Sequence, residues 1–122
     1  MPEAVRQAIK AVQEKRAFDL ALLDLRTVAS FTDYFLLCTG ASTRQVQAIA
    51  DAVEAQLDRI DLTPLHVEGY EFGEWVLVDY LDFVVHIFSE RARAYYDLER
   101  LWRSARRLPI PKEIARTREE HR

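Results

Sequence analysis

Apolar residues recur along the chain with two different periods, and the switches between them divide it into elements. Val5, Ala8, Ile9 and Val12 fall three and four apart, with Lys10, Glu14 and Lys15 on other sides. This predicts an amphipathic helix over residues 3–16, begun by Pro2. Over residues 18–25 both parities are mostly apolar, the pattern of a strand covered on both faces. A polar stretch, 26–33, leads to a second apolar strand over 34–39, closed by Gly40. Ser42-Thr43-Arg44-Gln45 then has the form of a capping box, in which the serine hydroxyl accepts from the third helical N–H and the glutamine reaches back. Val46, Ile49, Ala50, Val53 and Leu57 continue at helical spacing, so a second helix runs to about residue 59.

Three strands follow, over 64–68, 75–79 and 82–88, with Gly69 and Gly73 between the first two and a tight Tyr80-Leu81 link between the last two. Along 75–80, Trp75, Leu77 and Asp79 share one face and Val76, Val78 and Tyr80 the other. Ser89 caps a third helix, 90–104, whose broad apolar side carries Ala92, Tyr95, Tyr96, Leu98 and Trp102. The order of elements predicts an α/β fold: a single mixed β-sheet of about five strands flanked by helices. The path from the second strand through the capped helix to the third strand is expected to be a right-handed crossover. Residues 1–104 form the expected domain, and 105–122, with Pro109 and Pro111, a mobile charged tail.

Composition narrows the classes. With 122 residues, 49% hydrophobic and 30% charged, the chain can build one core without disulfides or metal, and it is neither fibrous nor of low complexity. The single Cys38 lies in an apolar run, where a thiol acts as a small buried hydrophobe, and a reducing compartment is expected. Residues 1–13 alternate apolar and charged side chains, unlike a signal peptide, and no stretch of 18 uncharged apolar residues occurs. The expectation is a cytoplasmic protein with no membrane partner.

The net charge of -3 conceals a polarity. Residues 61–90 hold seven acids and no Lys or Arg, while 91–122 hold ten basic and five acidic groups. A surface dominated by the first segment repels phosphate and suits a basic protein. Exposed-looking aromatics sit among these acids, namely Tyr70, Phe72, Trp75 and Tyr80 beside Glu71 and Glu74, a composition that interfaces enrich. The alternative is that Phe72 and Trp75 are core residues.

Catalytic and metal patterns are weak by comparison. The Gly40-Ala41-Ser42 turn could offer backbone N–H groups to an anion, but it lacks the lysine of a phosphate loop and the glycines of a dinucleotide fingerprint. Asp79 and Asp82 are three apart, where two chelating carboxylates on one strand face would be two apart, so turn carboxylates are expected. Cys38, His66 and His86 lie in separate predicted strands without the paired spacing of a zinc site. His86 shares parity with Val84 and Phe88 and is expected to be half-buried with one hydrogen bond. No catalytic residue, metal or cofactor is assigned.

The phrases Ser30-Phe31-Thr32-Asp33-Tyr34-Phe35, Thr39-Gly40-Ala41-Ser42-Thr43-Arg44-Gln45, Glu68-Gly69-Tyr70, Glu74-Trp75-Val76-Leu77-Val78-Asp79-Tyr80, Val85-His86-Ile87-Phe88 and Tyr96-Asp97-Leu98-Glu99-Arg100-Leu101-Trp102 resemble the ribosomal silencing factor, or Iojap-like, family over roughly residues 3–104. The resemblance implies a nucleotidyltransferase-like fold without enzymatic activity. It implies binding to the large ribosomal subunit through large-subunit ribosomal protein fourteen, obstruction of joining with the small subunit, lowered translation when nutrients are short, and a homodimer when free. On this reading Tyr70, Glu71, Glu74, Trp75, Asp79 and Tyr80 are the expected partner-binding residues. Asp33, Tyr34, Gly40, Ser42 and His86 are motif residues whose roles are open. The basic end is a possible auxiliary contact to ribosomal RNA. The competing reading is a residual magnesium-dependent nucleotidyltransferase built on the Ser42 turn and Asp79.

Overall fold

In a computed structural model describing residues 1–112, the chain forms α1 (Glu3–Glu14), β1 (Phe18–Asp24), β2 (Tyr34–Gly40), α2 (Thr43–Asp58), β3 (His66–Glu68), β4 (Trp75–Asp79), β5 (Phe83–Ser89), α3 (Glu90–Tyr96), α4 (Leu98–Leu101) and β6 (Arg106–Leu108). The capping box at α2 is complete: Ser42 Oγ accepts from the Gln45 N–H at 3.1 Å, and Gln45 Oε1 accepts from the Ala41 N–H at 2.7 Å. Gly40 lets α2 turn closely over the strand that precedes it, since a Cβ there would lie 2.9 Å from Val46 Cγ2. Ser89 caps α3 by accepting from the Ala92 N–H.

The strands form one mixed sheet in the order β3-β4-β5-β2-β1-β6. Among the described residues only the β2–β5 pair is parallel. The expected crossover is present, since β2 leads through α2 to β3, a strand of the same direction in the same sheet; β3 lands at the sheet edge, and the parallel neighbour of β2 is β5, reached two strands later. One sheet face packs under α1 and α2, where Val5, Ile9, Val12, Val46, Ile49 and Leu57 meet Leu22, Leu36, Cys38, Val76, Val85 and Ile87. Burial pushes the Cys38 thiol up to about 12, so it stays protonated and inert. The second face gathers Ala21, Leu23, Phe35, Leu37, Val84 and Phe88 beneath Ala92 and Leu98. α3 packs over β5 and β2, and at the β3–β4 end His66 and Glu68 stay exposed and Leu77 and Asp79 half-buried.

The C-terminal third departs from expectation in two ways. The single helix expected over 90–104 is broken at Asp97, which adopts a left-handed conformation (φ 47°) that Asp tolerates better than most residues. The break turns Leu98 into the core and brings Trp102 against Phe31 and Phe35, while Tyr95 and Leu101, assigned or adjacent to the apolar side, stay exposed. The expected mobile tail also begins as structure: Arg106–Leu108 pair with Leu22–Asp24 as a sixth strand. Leu108 and Ile110 pack onto the α1 side of the core, and Gln13 Nε2 donates to the Pro111 carbonyl at 2.7 Å. The expectation for residues 113–122 lies outside the described residues. Arg93 fastens this region, donating to both Glu99 oxygens, to Thr39 Oγ1 and to the Asp19 carbonyl; Arg107 reaches the same carboxylate. These arginines hold Glu99 below the usual carboxylate range. Among the described residues, no helix is long and apolar enough to cross a membrane.

Candidate docking face

Strand alternation sends Trp75, Leu77 and Asp79 of β4 to the face away from α1 and α2, beside Val84, His86 and Phe88 of β5 and Phe35 of β2. His86 is 3% exposed, buried rather than half-buried as expected. It makes the one hydrogen bond anticipated for it: Trp75 Nε1–H donates to His86 Nδ1 at 3.1 Å. An accepting Nδ1 places the neutral ring's proton on Nε2, which has no hydrogen-bond partner among the described residues. Burial lowers His86 to about 3, so it is neutral at physiological pH.

Around this pair runs an arc of rings. Phe35 meets His86 edge-on at 4.4 Å between centroids, and Trp75 contacts Phe88 at 5.0 Å and Tyr96 at 4.8 Å. On the other flank, Trp102 lies 5.8 Å from both Phe35 and Phe31. Phe31 and Tyr96, at the two ends, are 57% and 49% exposed. Such a half-solvated aromatic surface is what interfaces enrich and plain solvent faces avoid.

Acids border it. His66 Nε2 lies 3.4 Å from Glu68 and 3.5 Å from Asp79. Asp79 Oδ1 also accepts from the Leu81 N–H at 2.8 Å, the turn role expected of it. Glu74 accepts from Ser89 Oγ at 2.7 Å and lies 3.6 Å from Arg91.

The expected partner-binding group is therefore divided. Trp75, Asp79 and Glu74 lie on or beside the open face. Tyr80 does not: it is buried on the α2 side, stacked on Phe83, with its hydroxyl unpartnered and held above the ordinary tyrosine range by burial. Tyr70 and Glu71 belong to a loop laid over α2, where Gln47 Nε2 donates to both their carbonyls and Tyr70 Oη donates to Asp51. Phe72, weighed as a core residue, is 81% exposed at the tip of that loop.

The residues whose roles were open make these contacts in the fold. Asp33 ties the β1–β2 loop to the β4–β5 turn, its N–H donating to the Asp82 carbonyl. Tyr34 is buried, with the Arg26 guanidinium 5.4 Å from its ring centroid; that guanidinium also binds Asp24 and holds its carboxyl at about 2. Gly40 and Ser42 form the α2 entry. Sequence reading did not place Phe31, Phe35, Glu68, Leu77, Tyr96 or Trp102 in the site. The signal for the strand residues was parity with Trp75, but joining them required the β2–β5 pairing.

Ser42 follows the C-terminal end of β2, beyond Gly40, whereas Asp79 lies in the cross-strand row of Val84 and Phe35. Five residues of strand, about 17 Å, separate those rows, and the Ser42 hydroxyl is occupied as a cap. The two groups of the nucleotidyltransferase reading do not share a site.

Comparisons with known proteins give the family and the fold. Residues 1–122 match the family described as "Ribosomal silencing factor during starvation", a match that takes in the tail as well as the domain. The chain is 44% identical over 98 residues to the ribosomal silencing factor of Bacillus subtilis, covering 80% of this chain and 83% of the relative. It is 40% identical over 103 residues to that of Halalkalibacterium halodurans, covering 84% and 88%. A crystal structure of a Chromobacterium violaceum protein superposes with a TM-score of 0.81 at 36% identity, over 88% of this chain and 89% of that one.

Proposed function

The chain belongs to the ribosomal silencing factor family, and from that membership we propose that it docks its open aromatic face on the large ribosomal subunit, at large-subunit ribosomal protein fourteen. Occupying that surface obstructs joining with the small subunit and represses translation in the cytoplasm when nutrients are short. Steric exclusion needs no catalytic group. The observation that carries the reading is the half-buried Trp75, fixed by His86, within an arc of rings whose two ends, Phe31 and Tyr96, are exposed, bordered by Glu68 and Asp79. Aromatic burial supplies affinity, and the carboxylates select a basic protein over RNA.

A homodimer of the free protein, and an auxiliary RNA contact at the basic end, belong to the same proposal. The positive charge of that end lies in residues 91–112, which carry seven basic and two acidic groups; residues 113–122 carry three of each.

Sedimentation with separated subunits tests the docking. Co-pelleting with the large subunit alone, with joined particles lost as protein is added, is expected. Trp75→Ala is expected to weaken co-pelleting by about 2 kcal/mol or more. Wild-type protein that pellets with neither subunit would overturn the reading.

A further inference from the structure

Beside Trp75 the open face holds a shallow slot lined by Glu68, Gly69, Trp75 and Leu77. Cross-strand pairing sets Glu68 opposite Leu77. The chain then turns away at Gly69, whose φ of +80° suits glycine and where a Cβ would lie 2.1 Å from the Trp75 carbonyl oxygen. One wall is thus an indole already fixed by its bond to His86, a second wall is aliphatic, and the lip is a carboxylate.

Among the described residues that carboxylate is paired with no Lys or Arg. The Glu68 side chain is 67% exposed, and its ion-pair contact among the described residues is His66. Residues 61–90 contain no Lys or Arg, and Arg91 lies against Glu74.

We propose that this slot is a subsite for an arginine side chain of the protein partner. The methylene stem lies against Leu77 and the indole, and the guanidinium meets Glu68. Arginine fits better than lysine because its planar, weakly hydrated head both stacks on an aromatic ring and binds a carboxylate through two N–H groups. Phosphate and acidic side chains are repelled by Glu68 and by Asp79 on the same face. The identity of the partner rests on the docking reading above; the slot's preference for a guanidinium stands apart from it.

The full chain, labelled with nitrogen-15, is titrated at low salt with acetyl-Gly-Arg-Gly-amide, with its lysine analogue and with its neutral citrulline analogue, while the two indole N–H signals are followed by NMR. The arginine peptide is expected to shift the Trp75 signal and leave that of Trp102 in place. The lysine analogue is expected to act more weakly and the citrulline analogue not at all. Glu68→Gln is expected to lower the affinity for the arginine peptide by about threefold to fivefold, the range of an exposed ion pair. Citrulline acting as well as arginine, both indoles moving together, or no Trp75 shift over the soluble range of the peptide overturns the slot. Large-subunit pelleting is scored separately. Pelleting without a peptide shift removes the slot and keeps the docking, and a peptide shift without pelleting does the reverse.

Discussion

His86 shows how one buried residue constrains a surface one. Its ring is sealed beneath Trp75 and Phe35, and its accepting nitrogen fixes the indole at the centre of the proposed docking face. The same burial links its titration to stability. In the unfolded chain the imidazole takes up a proton below its ordinary value of 6.5, whereas in the fold it does so only near 3. Above about 6.5 both states are neutral and His86 contributes no pH dependence; as pH falls from there toward 3, the unfolded state gains protons and stability declines. Urea unfolding at about pH 7.5 and about pH 5 is therefore expected to show wild-type protein losing roughly 2 kcal/mol more than His86→Gln across that interval. Equal losses would mean that the native imidazole is reached by water or by an acid.

Element ends follow local chemistry where the chain has it and break from it where tertiary contacts intervene. Asp97 holds a left-handed conformation with no side-chain capping bond. Asp97→Ala is expected to lower the thermal midpoint by a few degrees, corresponding to about 1 kcal/mol, while Asp97→Gly keeps or raises it. Equal midpoints for the two would show that the break costs nothing in backbone strain. α1, α2 and the β4–β5 hairpin were legible in the sequence because their signals are local: a capping box, apolar residues at helical spacing and alternating parity. The parallel pairing of β2 with β5 was not legible, since it joins Leu37 to His86 across 48 intervening residues with no local mark. That pairing also brings Phe35 to His86, which is why Trp75 could be singled out from its sequence neighbours while Phe31, Phe35 and Trp102 could not. Tyr80 was grouped with Trp75 although its parity, that of Val76 and Val78, was legible; what the sequence did not show is which of the two faces lies under α1 and α2. β6 was missed because three residues between Ala105 and Pro109 carry no strand pattern of their own; Leu22, Leu23 and Asp24 supply the edge that orders them.

At the scale of the whole molecule, charge is separated along the sheet. Acids collect around β3 and β4, and Arg106 and Arg107 lie on β6 at the opposite edge, while Arg91 stays beside Glu74. If the basic side touches ribosomal RNA, Arg100→Gln with Arg103→Gln is expected to flatten the salt dependence of large-subunit binding by about one to two in log–log slope, since fewer counterions are released. An unchanged slope would confine the contact to the acidic, aromatic side. The position of β6 also has a consequence in time. β1 is synthesised before the other strands, and β2 can pair with its inner edge soon afterwards. Its outer edge waits for residues 106–108, and until they emerge it presents unpaired N–H and C=O groups of the kind that invite association with other strands. During translation, the seam at β1 is thus open for most of the chain's synthesis, and the short strand that seals it is among the last of the described residues to leave the ribosome.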